Sequence, residues 1–359
     1  MSIHFYPLRI KKISRETDQC VSVEFEIPES LTNAFQFKQG QSLTMRTTLA
    51  GEEIRRTYSL CSSPLDKRWK VAIKKVEGGL FSSFANENLK EGDELDVMEP
   101  VGKFYTELNP TNKKNYLAFA AGSGITPVIS IIKTTLRTEP QSNFTLIYGN
   151  RSRSSIIFFE ELEGLKNKFI DRFSFINILS RERTETPINF GRLDIGKLTE
   201  LEKLIDYKKM DETFICGPEE MIFCIKNYLE QKDISEKKIH FELFTTSGQK
   251  KSETRNLKSE IETGPVSKIT VKVDGRSFDF DLSLNSDTTI LDAALKQGAD
   301  LPFACKGGMC CTCKAKLLEG EVEMDVHWGL EHEEMDQGYI LTCQSHPKTD
   351  KVVVDFDIK

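Results

Sequence analysis

The chain has 359 residues and a formal net charge of −6. This length fits two or three domains of about 100 to 150 residues each, and the acidic balance argues against nucleic-acid binding, which needs a basic surface. The first residues lack the charged start and apolar run of a signal peptide, and no stretch approaches the roughly 20 apolar residues of a membrane span. We therefore expect a cytoplasmic protein.

Residues 1–107 are predicted to form a small antiparallel β-barrel. Their apolar residues alternate in short runs, as at Val21, Val23 and Phe25, and glycines interrupt the runs. Alternation with a period of two and frequent turns is typical of an antiparallel sheet that closes on itself.

Two stretches of this barrel are candidates for cofactor binding. The first is Arg56-Thr57-Tyr58-Ser59, a weak signal by itself because a tyrosine on a strand packs more often than it binds a cofactor. In the second, Gly78-Gly79 precedes Ser82-Ser83 and a predicted helix over residues 84–89. Free N–H groups and a capping hydroxyl at a helix start suit a pyrophosphate.

Residues 108–245 are predicted to form an α/β nucleotide-binding domain. Apolar strands at 116–120, 144–148, 173–179, 213–216 and 239–244 alternate with helical segments such as 128–136 and 221–231. Alternating strands and helices indicate βαβ units and a parallel sheet.

Two strand-to-helix turns predict a ligand site at one edge of this sheet. The first strand leads into Gly122-Ser123-Gly124-Ile125-Thr126-Pro127, where glycines permit a tight turn and close phosphate approach, and proline suits a first helical turn. The fourth strand ends in Cys216-Gly217-Pro218. Ligands of open α/β sheets bind at the carboxyl ends of the strands.

The loop after the second strand favours one nicotinamide donor. An acidic residue there accepts hydrogen bonds from a ribose 2′-OH, whereas cations suit a 2′-phosphate. This chain has Arg151, Ser152 and Arg153 at that point. We therefore expect NADPH, with NADH as the alternative if the two arginines are only solvated loop residues.

Residues 246–265 are predicted to be a flexible linker, because they contain few apolar side chains. Twenty residues of flexible coil reach about 25 Å in root-mean-square length. Residues 266–359 alternate again, with a short helix over 290–295, and hold 17 Asp and Glu against 10 Lys and Arg.

The last segment carries a cysteine pattern that predicts an iron–sulfur cluster. Cys305, Cys310 and Cys313 follow C-x4-C-x2-C spacing with Cys343 as a distant fourth ligand, the spacing of plant-type 2Fe-2S ferredoxins. In a reducing compartment, four such cysteines indicate metal rather than disulfides. A zinc site remains the alternative, although zinc more usually takes two C-x2-C pairs. Cys311 is predicted to be a small side chain without a ligand role, and exchange with a ligand stays open.

The first 245 residues resemble the ferredoxin-NADP reductase family, because R-x-Y-S, G-x-G-x-x-P and C-G-P stand in that order. The resemblance implies a six-stranded flavin barrel and then a nucleotide domain. By this resemblance Arg56 contacts the FAD pyrophosphate, Tyr58 stacks on the isoalloxazine and Ser59 reaches toward N5. Gly79 and Ser82 are then expected at the FAD phosphates.

The same resemblance implies which residues bind the nicotinamide dinucleotide and which are catalytic. The dinucleotide is expected at Gly122, Ser123, Gly124, Thr126, Gly217 and Pro218, with Cys216 near the nicotinamide ring. Glu242 matches a carboxylate close to the flavin in relatives, and a surface strand residue is the alternative reading. The expected catalytic residues are therefore Tyr58, Ser59, Cys216 and Glu242.

The full length resembles the reductase components of phenylacetyl-CoA epoxidases, on the stretches 148–152 and 338–345. This implies a third, α+β ferredoxin-like (β-grasp) domain, and electron flow from NADPH through FAD and a 2Fe-2S cluster to a di-iron oxygenase in phenylacetate catabolism. The three centres are consistent chemically, since a nicotinamide gives electrons in pairs and a cluster accepts them singly. The alternatives are another acceptor (a ring-hydroxylating oxygenase, a desaturase or a hybrid-cluster protein) or a flavin reductase whose zinc module binds a partner.

Overall fold

The computed structural model describes residues 4–244 and 265–358. Residues 6–244 form one compact unit, and residues 265–358 belong to a second. Most of the predicted linker, residues 246–264, lies outside the described residues. The predicted division of the first unit at residue 107 stays a prediction.

The first part of the larger unit is a closed antiparallel sheet. Six strands pair in the order β4-β3-β6-β1-β2-β5. Just beyond β4, Leu60 bridges to Val71 of β5, and the Cys61 N–H donates to the Lys70 carbonyl at 2.8 Å. This contact joins the two edge strands, so the predicted barrel is confirmed. The strands are β1 Tyr6–Thr17, β2 Cys20–Phe25, β3 Ser42–Leu49, β4 Glu52–Ser59, β5 Trp69–Lys74 and β6 Glu94–Val97.

The helix of the barrel, α1 (Leu80–Glu87), begins earlier than predicted. The sequence placed the helix start at residue 84, after the two serines. In the structure Gly79 precedes the first helical residue, and Ser82 lies inside the first turn. The prediction was wrong because the apolar face of the helix includes the buried Phe81, which lies before the predicted start, as well as Ala85.

The second part of the larger unit is a parallel sheet with helices between its strands. Five strands lie in the order β11-β10-β7-β8-β9, and all pair in parallel. The strands are β7 Asn115–Ala121, β8 Asn143–Asn150, β9 Phe173–Leu179, β10 Glu212–Gly217 and β11 Ile239–Leu243. The helices are α2 Ile125–Thr138, α3 Phe159–Lys168, α4 Ile195–Leu201 and α5 Glu219–Gln231.

The strand order places a crevice beside β7. The chain moves from β7 to β8 on one side and later reaches β10 on the other side. Such a reversal opens a crevice at the carboxyl ends of the strands, where ligands of α/β sheets bind. The G-x-G loop after β7 and the C-G-P turn after β10 both end in this crevice.

The C-terminal unit has a mixed sheet in the order β13-β12-β18-β14-β16, in which only β12 and β18 are parallel. A two-stranded sheet, β15-β17, belongs to the same unit. The strands are β12 Val266–Val273, β13 Arg276–Ser283, β14 Lys314–Glu319, β15 Val322–Met324, β16 Tyr339–Leu341, β17 Ser345–Pro347 and β18 Lys351–Asp355; the helices are α6 Ile290–Lys296 and α7 His332–Asp336. This is the predicted α+β architecture, with the cysteine loop between α6 and β14.

Within the two described ranges, no helix has the length and apolar character needed to cross a membrane.

Candidate functional site

Tyr58 and Ser59 of the R-x-Y-S motif are the last two residues of strand β4. They lie just before Leu60, where the barrel closes. The Tyr58 ring packs against Phe81 of α1, with ring centroids 5.7 Å apart, so the ring has a fixed orientation. Burial raises the pKa of Tyr58, which keeps its phenol neutral. The half-buried Arg56 donates to the neighbouring Arg55 carbonyl at 2.8 Å, and Ser59 is buried.

The glycine turn before α1 is held by the serine that was predicted to contact phosphate. The Ser82 hydroxyl accepts the Val76 N–H at 3.1 Å and donates to the Gly79 carbonyl at 3.2 Å. A Cβ on Gly79 would lie 2.5 Å from Ser82 Oγ, so only glycine fits there. Ser82 therefore shapes the turn, and the N–H groups of the first turn of α1 are the groups that suit a phosphate.

The two glycines of the G-x-G loop have different structural roles. Gly122 has φ +53°, a left-handed conformation that glycine adopts without strain. A Cβ on Gly124 would lie 2.1 Å from the Cys216 carbonyl oxygen, so Gly124 allows the loop to touch the end of β10. The buried Thr126 hydroxyl donates to the Ser123 carbonyl at 3.0 Å and closes the loop. The second glycine is thus required for strand contact, whereas the sequence had suggested phosphate approach.

The C-G-P turn starts a helix as predicted. Pro218 is the residue that precedes α5, and Gly217 ends β10. A Cβ on Gly217 would lie 2.6 Å from Met221 Cε and 3.1 Å from Ala121 Cβ. The turn is therefore packed tightly between α5 and the end of β7.

Three predicted catalytic residues from distant parts of the sequence meet at the edge of the parallel sheet. Cys216 of β10 pairs in register with Glu242 of β11. The Ser59 hydroxyl of the barrel donates to Glu242 Oε2 at 3.2 Å. Burial and the negative charge of Glu242 raise the pKa of Cys216 well above its usual value, so the thiol stays neutral. Glu242 is thus bonded to the barrel, contrary to the reading as a surface strand residue.

The structure adds a residue that sequence reasoning missed. Lys74, at the end of β5, lies beside the G-x-G loop, because a Cβ on Gly122 would be 3.4 Å from Lys74 Nζ. Burial lowers the pKa of Lys74, and the positive charge of Arg151 lowers it further. Neither cation has a carboxylate partner among the ion pairs of the described residues. Two adjacent cations without a counter-charge at a glycine turn favour an anion.

The two arginines after β8 face different neighbours. The Arg153 guanidinium lies 4.9 Å from the centroid of the Phe159 ring, and the Arg153 backbone N–H donates to Glu182 Oε2 at 2.7 Å. The Ser152 N–H donates to Ser155 Oγ at 3.1 Å. The charge of Arg151 acts on Lys74, so the loop places this cation near the G-x-G loop.

The four predicted cluster ligands form two pairs of thiols. Cys305 lies against Cys310, and Cys313 lies against Cys343. Cys313 and Cys343 are buried, whereas Cys305 and Cys310 are half-buried. Two pairs fit a cluster of two irons, each with two thiolates, better than one tetrahedral zinc.

Two backbone N–H groups are directed at the sulfur of one predicted ligand, Cys305. Gly307 N–H donates to Cys305 Sγ at 3.3 Å, and Cys310 N–H donates to the same sulfur at 3.5 Å. Contact with the Cys310 side chain, together with these N–H groups, lowers the pKa of Cys305, and the same contact raises the pKa of Cys310. Cys313 likewise lowers the pKa of Cys343. In each pair one thiol is thus favoured as a thiolate while its partner, Cys310 or Cys313, is disfavoured; the N–H groups directed at Cys305 Sγ are the feature that suits a thiolate bound to iron.

Cys311 has a different environment from the four ligands. Its thiol donates to the Gly329 carbonyl at 2.7 Å, and its φ is +54°. Gly329 has no room for a side chain, because a Cβ there would lie 2.7 Å from Cys311 Sγ. Cys311 therefore connects the ligand loop to the segment before α7.

Three family matches cover the chain in the order of its sheets. Residues 7–105 match an oxidoreductase FAD-binding domain, residues 119–227 an oxidoreductase NAD-binding domain, and residues 271–348 a 2Fe-2S iron-sulfur cluster binding domain. FAD, a nicotinamide dinucleotide and a 2Fe-2S cluster are thus the cofactors of these domains, as the sequence predicted.

Curated relatives match over nearly the whole length. One component of the 1,2-phenylacetyl-CoA epoxidase of Escherichia coli is 44% identical over 99% of this chain and 98% of its own length. The ferredoxin reductase component of 3-ketosteroid-9-alpha-monooxygenase from Rhodococcus rhodochrous is 31% identical over 97% and 96%. The glycine betaine monooxygenase reductase subunit of Pseudomonas aeruginosa is 32% identical over 90% and 88%.

A solved structure shares the architecture. Phthalate dioxygenase reductase, described as modular for electron transfer from pyridine nucleotides to [2Fe-2S], has a TM-score of 0.59 at 23% identity, with 98% of each chain covered. At this identity the likeness shows the fold alone. The curated relatives decide the family: the chain belongs to the oxygenase reductase components that include the matched component of 1,2-phenylacetyl-CoA epoxidase, with an FAD-binding, an NAD-binding and a 2Fe-2S domain.

Proposed function

We propose that this chain transfers electrons from NADPH through FAD and a 2Fe-2S cluster to a separate oxygenase component. One observation supports this proposal most strongly. Ser59 of the FAD-binding part contacts Glu242, which pairs with Cys216, at the end of the parallel sheet. The chemistry supplied by bound FAD is the conversion of the electron pair of a hydride donor into single electrons.

The residues of the chain have positioning and electrostatic roles in this proposal. Arg56 and the first turn of α1 hold the FAD pyrophosphate, and Tyr58 provides an aromatic surface for the flavin. Glu242 holds the Ser59 hydroxyl at 3.2 Å, which fixes its direction at the flavin edge. Cys216 presents a neutral thiol at the end of β10, where the nicotinamide ring is proposed to lie.

The acceptor that we propose is the cognate di-iron epoxidase of phenylacetyl-CoA, in the cytoplasm. Identity of 44% over 99% of the chain to a component of that enzyme supports this choice. Relatives that are 30–32% identical are reductase components of other monooxygenases, and they support a second candidate: a reductase for another oxygenase.

Reconstitution with the cognate oxygenase distinguishes the two candidates. NADPH, the reductase and the oxygenase should together convert phenylacetyl-CoA to its epoxide, and omission of the reductase should stop product formation. The rate should fall as salt rises, because the acidic C-terminal unit meets its partner through charges that are screened over about 8–10 Å. Fast electron delivery to a different oxygenase, without phenylacetyl-CoA turnover, would favour the second candidate.

We expect NADPH to be preferred over NADH. We propose that Arg153 bonds the 2′-phosphate, which NADH lacks, so Arg153→Ala should lower kcat/KM for NADPH by about tenfold and leave the value for NADH nearly unchanged, as expected for loss of a charge-assisted hydrogen bond of about 1.5 kcal/mol. Arg151→Ala should lower both values but NADPH more. Steady-state kinetics with both donors measure these ratios.

Lys74→Gln is the matched control for donor choice. Lys74 lies beside the Gly122 turn, where phosphates common to both donors are proposed, so this change should reduce kcat/KM for NADPH and NADH by the same factor. A wild type that uses both donors equally, or arginine variants that lose both equally, would show that the loop after β8 does not read the 2′-phosphate.

A further inference from the structure

A buried tyrosine hydroxyl controls the turn of the G-x-G loop. Tyr148 of β8 has no exposed surface, and its hydroxyl donates to the Gly122 carbonyl at 2.8 Å. The Ile125 N–H donates to the same carbonyl. Two donors from different elements therefore fix the direction of this one carbonyl group.

The direction of the Gly122 carbonyl also determines the direction of the Ser123 N–H. The Gly122–Ser123 peptide is planar and trans, so its C=O and N–H point in opposite directions. With the Gly122 oxygen drawn inward to the Tyr148 hydroxyl, the Ser123 N–H points to the opposite side. If this peptide turned over, a carbonyl oxygen would replace the N–H there and would repel an anion.

Two cations lie near the Gly122 turn. Lys74 Nζ lies 3.4 Å from where a Cβ on Gly122 would be, and the charge of Arg151 acts on Lys74. An N–H beside two cations is a suitable environment for a phosphate group.

We propose that Tyr148 is a positioning residue for the nicotinamide dinucleotide, because its hydroxyl orients the Gly122–Ser123 peptide so that the Ser123 N–H faces a phosphate of the donor. The inference rests on the proposed function. Tyr148 does not contact the donor itself. Its ring packs against Phe175, with centroids 6.5 Å apart, so the hydroxyl can be removed while the ring remains.

Tyr148→Phe in the FAD-loaded, cluster-loaded protein tests the inference. The dissociation constant of NADP⁺, measured by calorimetry, should rise about fivefold, the effect of one hydrogen bond of about 1 kcal/mol. The KM for NADPH should rise by a similar factor, while kcat at saturating NADPH and the FAD content should remain near the wild-type values.

Tyr116→Phe is the matched control. Tyr116 is also buried in this sheet, and its hydroxyl donates to Glu139 Oε2 at 2.9 Å near the opposite end of β7. This variant should lose thermal stability and keep the wild-type dissociation constant for NADP⁺. Unchanged affinity in Tyr148→Phe, or equal weakening in both variants, would overturn the inference.

Hydrogen exchange in the wild type gives a test that does not depend on a variant. NADP⁺ should slow exchange of the Ser123 amide, because this N–H would donate to the bound phosphate. Binding of NADP⁺ with unchanged exchange at Ser123 would overturn the inference. A wild type that does not bind NADP⁺ or oxidise NADPH would instead refute the proposed function.

Discussion

Replacing Cys313 by Ser is expected to abolish the cluster, with loss of the red-brown absorption and of about two iron atoms per chain. Cys313 is 3% exposed and lies against Cys343 in the buried thiol pair, so its replacement removes one of the four predicted thiolate ligands. NADPH-dependent reduction of the flavin should persist, since the residues proposed for that step all lie within 6–244. Iron analysis and anaerobic flavin bleaching measure the two effects separately.

Cys311→Ser is the matched control for this loss. A serine hydroxyl can still donate to the Gly329 carbonyl, which the Cys311 thiol reaches at 2.7 Å, and the four ligands are untouched. The variant should therefore retain iron and colour. If Cys311→Ser bleached the protein and Cys310→Ser did not, the ligand assignment would be wrong.

Gly124→Ala should strongly reduce the use of the nicotinamide donor. The added Cβ would lie 2.1 Å from the Cys216 oxygen and 2.9 Å from the Gly217 nitrogen, so the backbone of the loop or of the C-G-P turn must move. Overpacking of this kind costs about 1–3 kcal/mol, which corresponds to a fall in kcat/KM for NADPH of about 5- to 150-fold. FAD content should stay normal, because the barrel does not contain this contact.

Gly164→Ala provides the comparison. Gly164 lies in α3, and apart from its chain neighbours and the backbone of its own helix no atom of the described residues is within 4 Å of a Cβ built there. Alanine favours a helix over glycine by about 1 kcal/mol, so this variant should be slightly more stable and kinetically normal. Wild-type kinetics in Gly124→Ala would contradict the proposed contact between the loop and the end of β10.

Local signals were sufficient for the barrel and the parallel sheet, and they also underlie the prediction of the cysteine ligands. Period-two and βαβ patterns are properties of neighbouring residues, and they predicted the barrel and the parallel sheet. Cys305, Cys310 and Cys313 lie on one short loop, so their spacing in the sequence was enough to predict them as ligands. The start of α1 was missed because Ser82 looks like a cap in sequence, whereas its hydroxyl bonds back to the turn.

The residues missed by sequence reasoning depend on contacts between distant segments. Lys74 ends an ordinary strand, and its position beside Gly122 follows only from the packing of β5 against the G-x-G loop. Tyr148 reads as a core residue of β8, and nothing in the sequence shows where its hydroxyl points. The bond between Ser59 and Glu242 likewise joins two strands that are far apart in the sequence. Only a resemblance to relatives had suggested the role of Glu242.

We propose that electrons enter this protein at the flavin and leave it from the cluster. The most direct test is the rate at which NADPH-reduced protein delivers electrons to the cognate oxygenase, measured by anaerobic stopped-flow absorption for the wild type and for Cys313→Ser. We predict that both proteins show rapid flavin reduction by NADPH, and that only the wild type reduces the oxygenase. Delivery at the wild-type rate by the cluster-free variant would contradict the account.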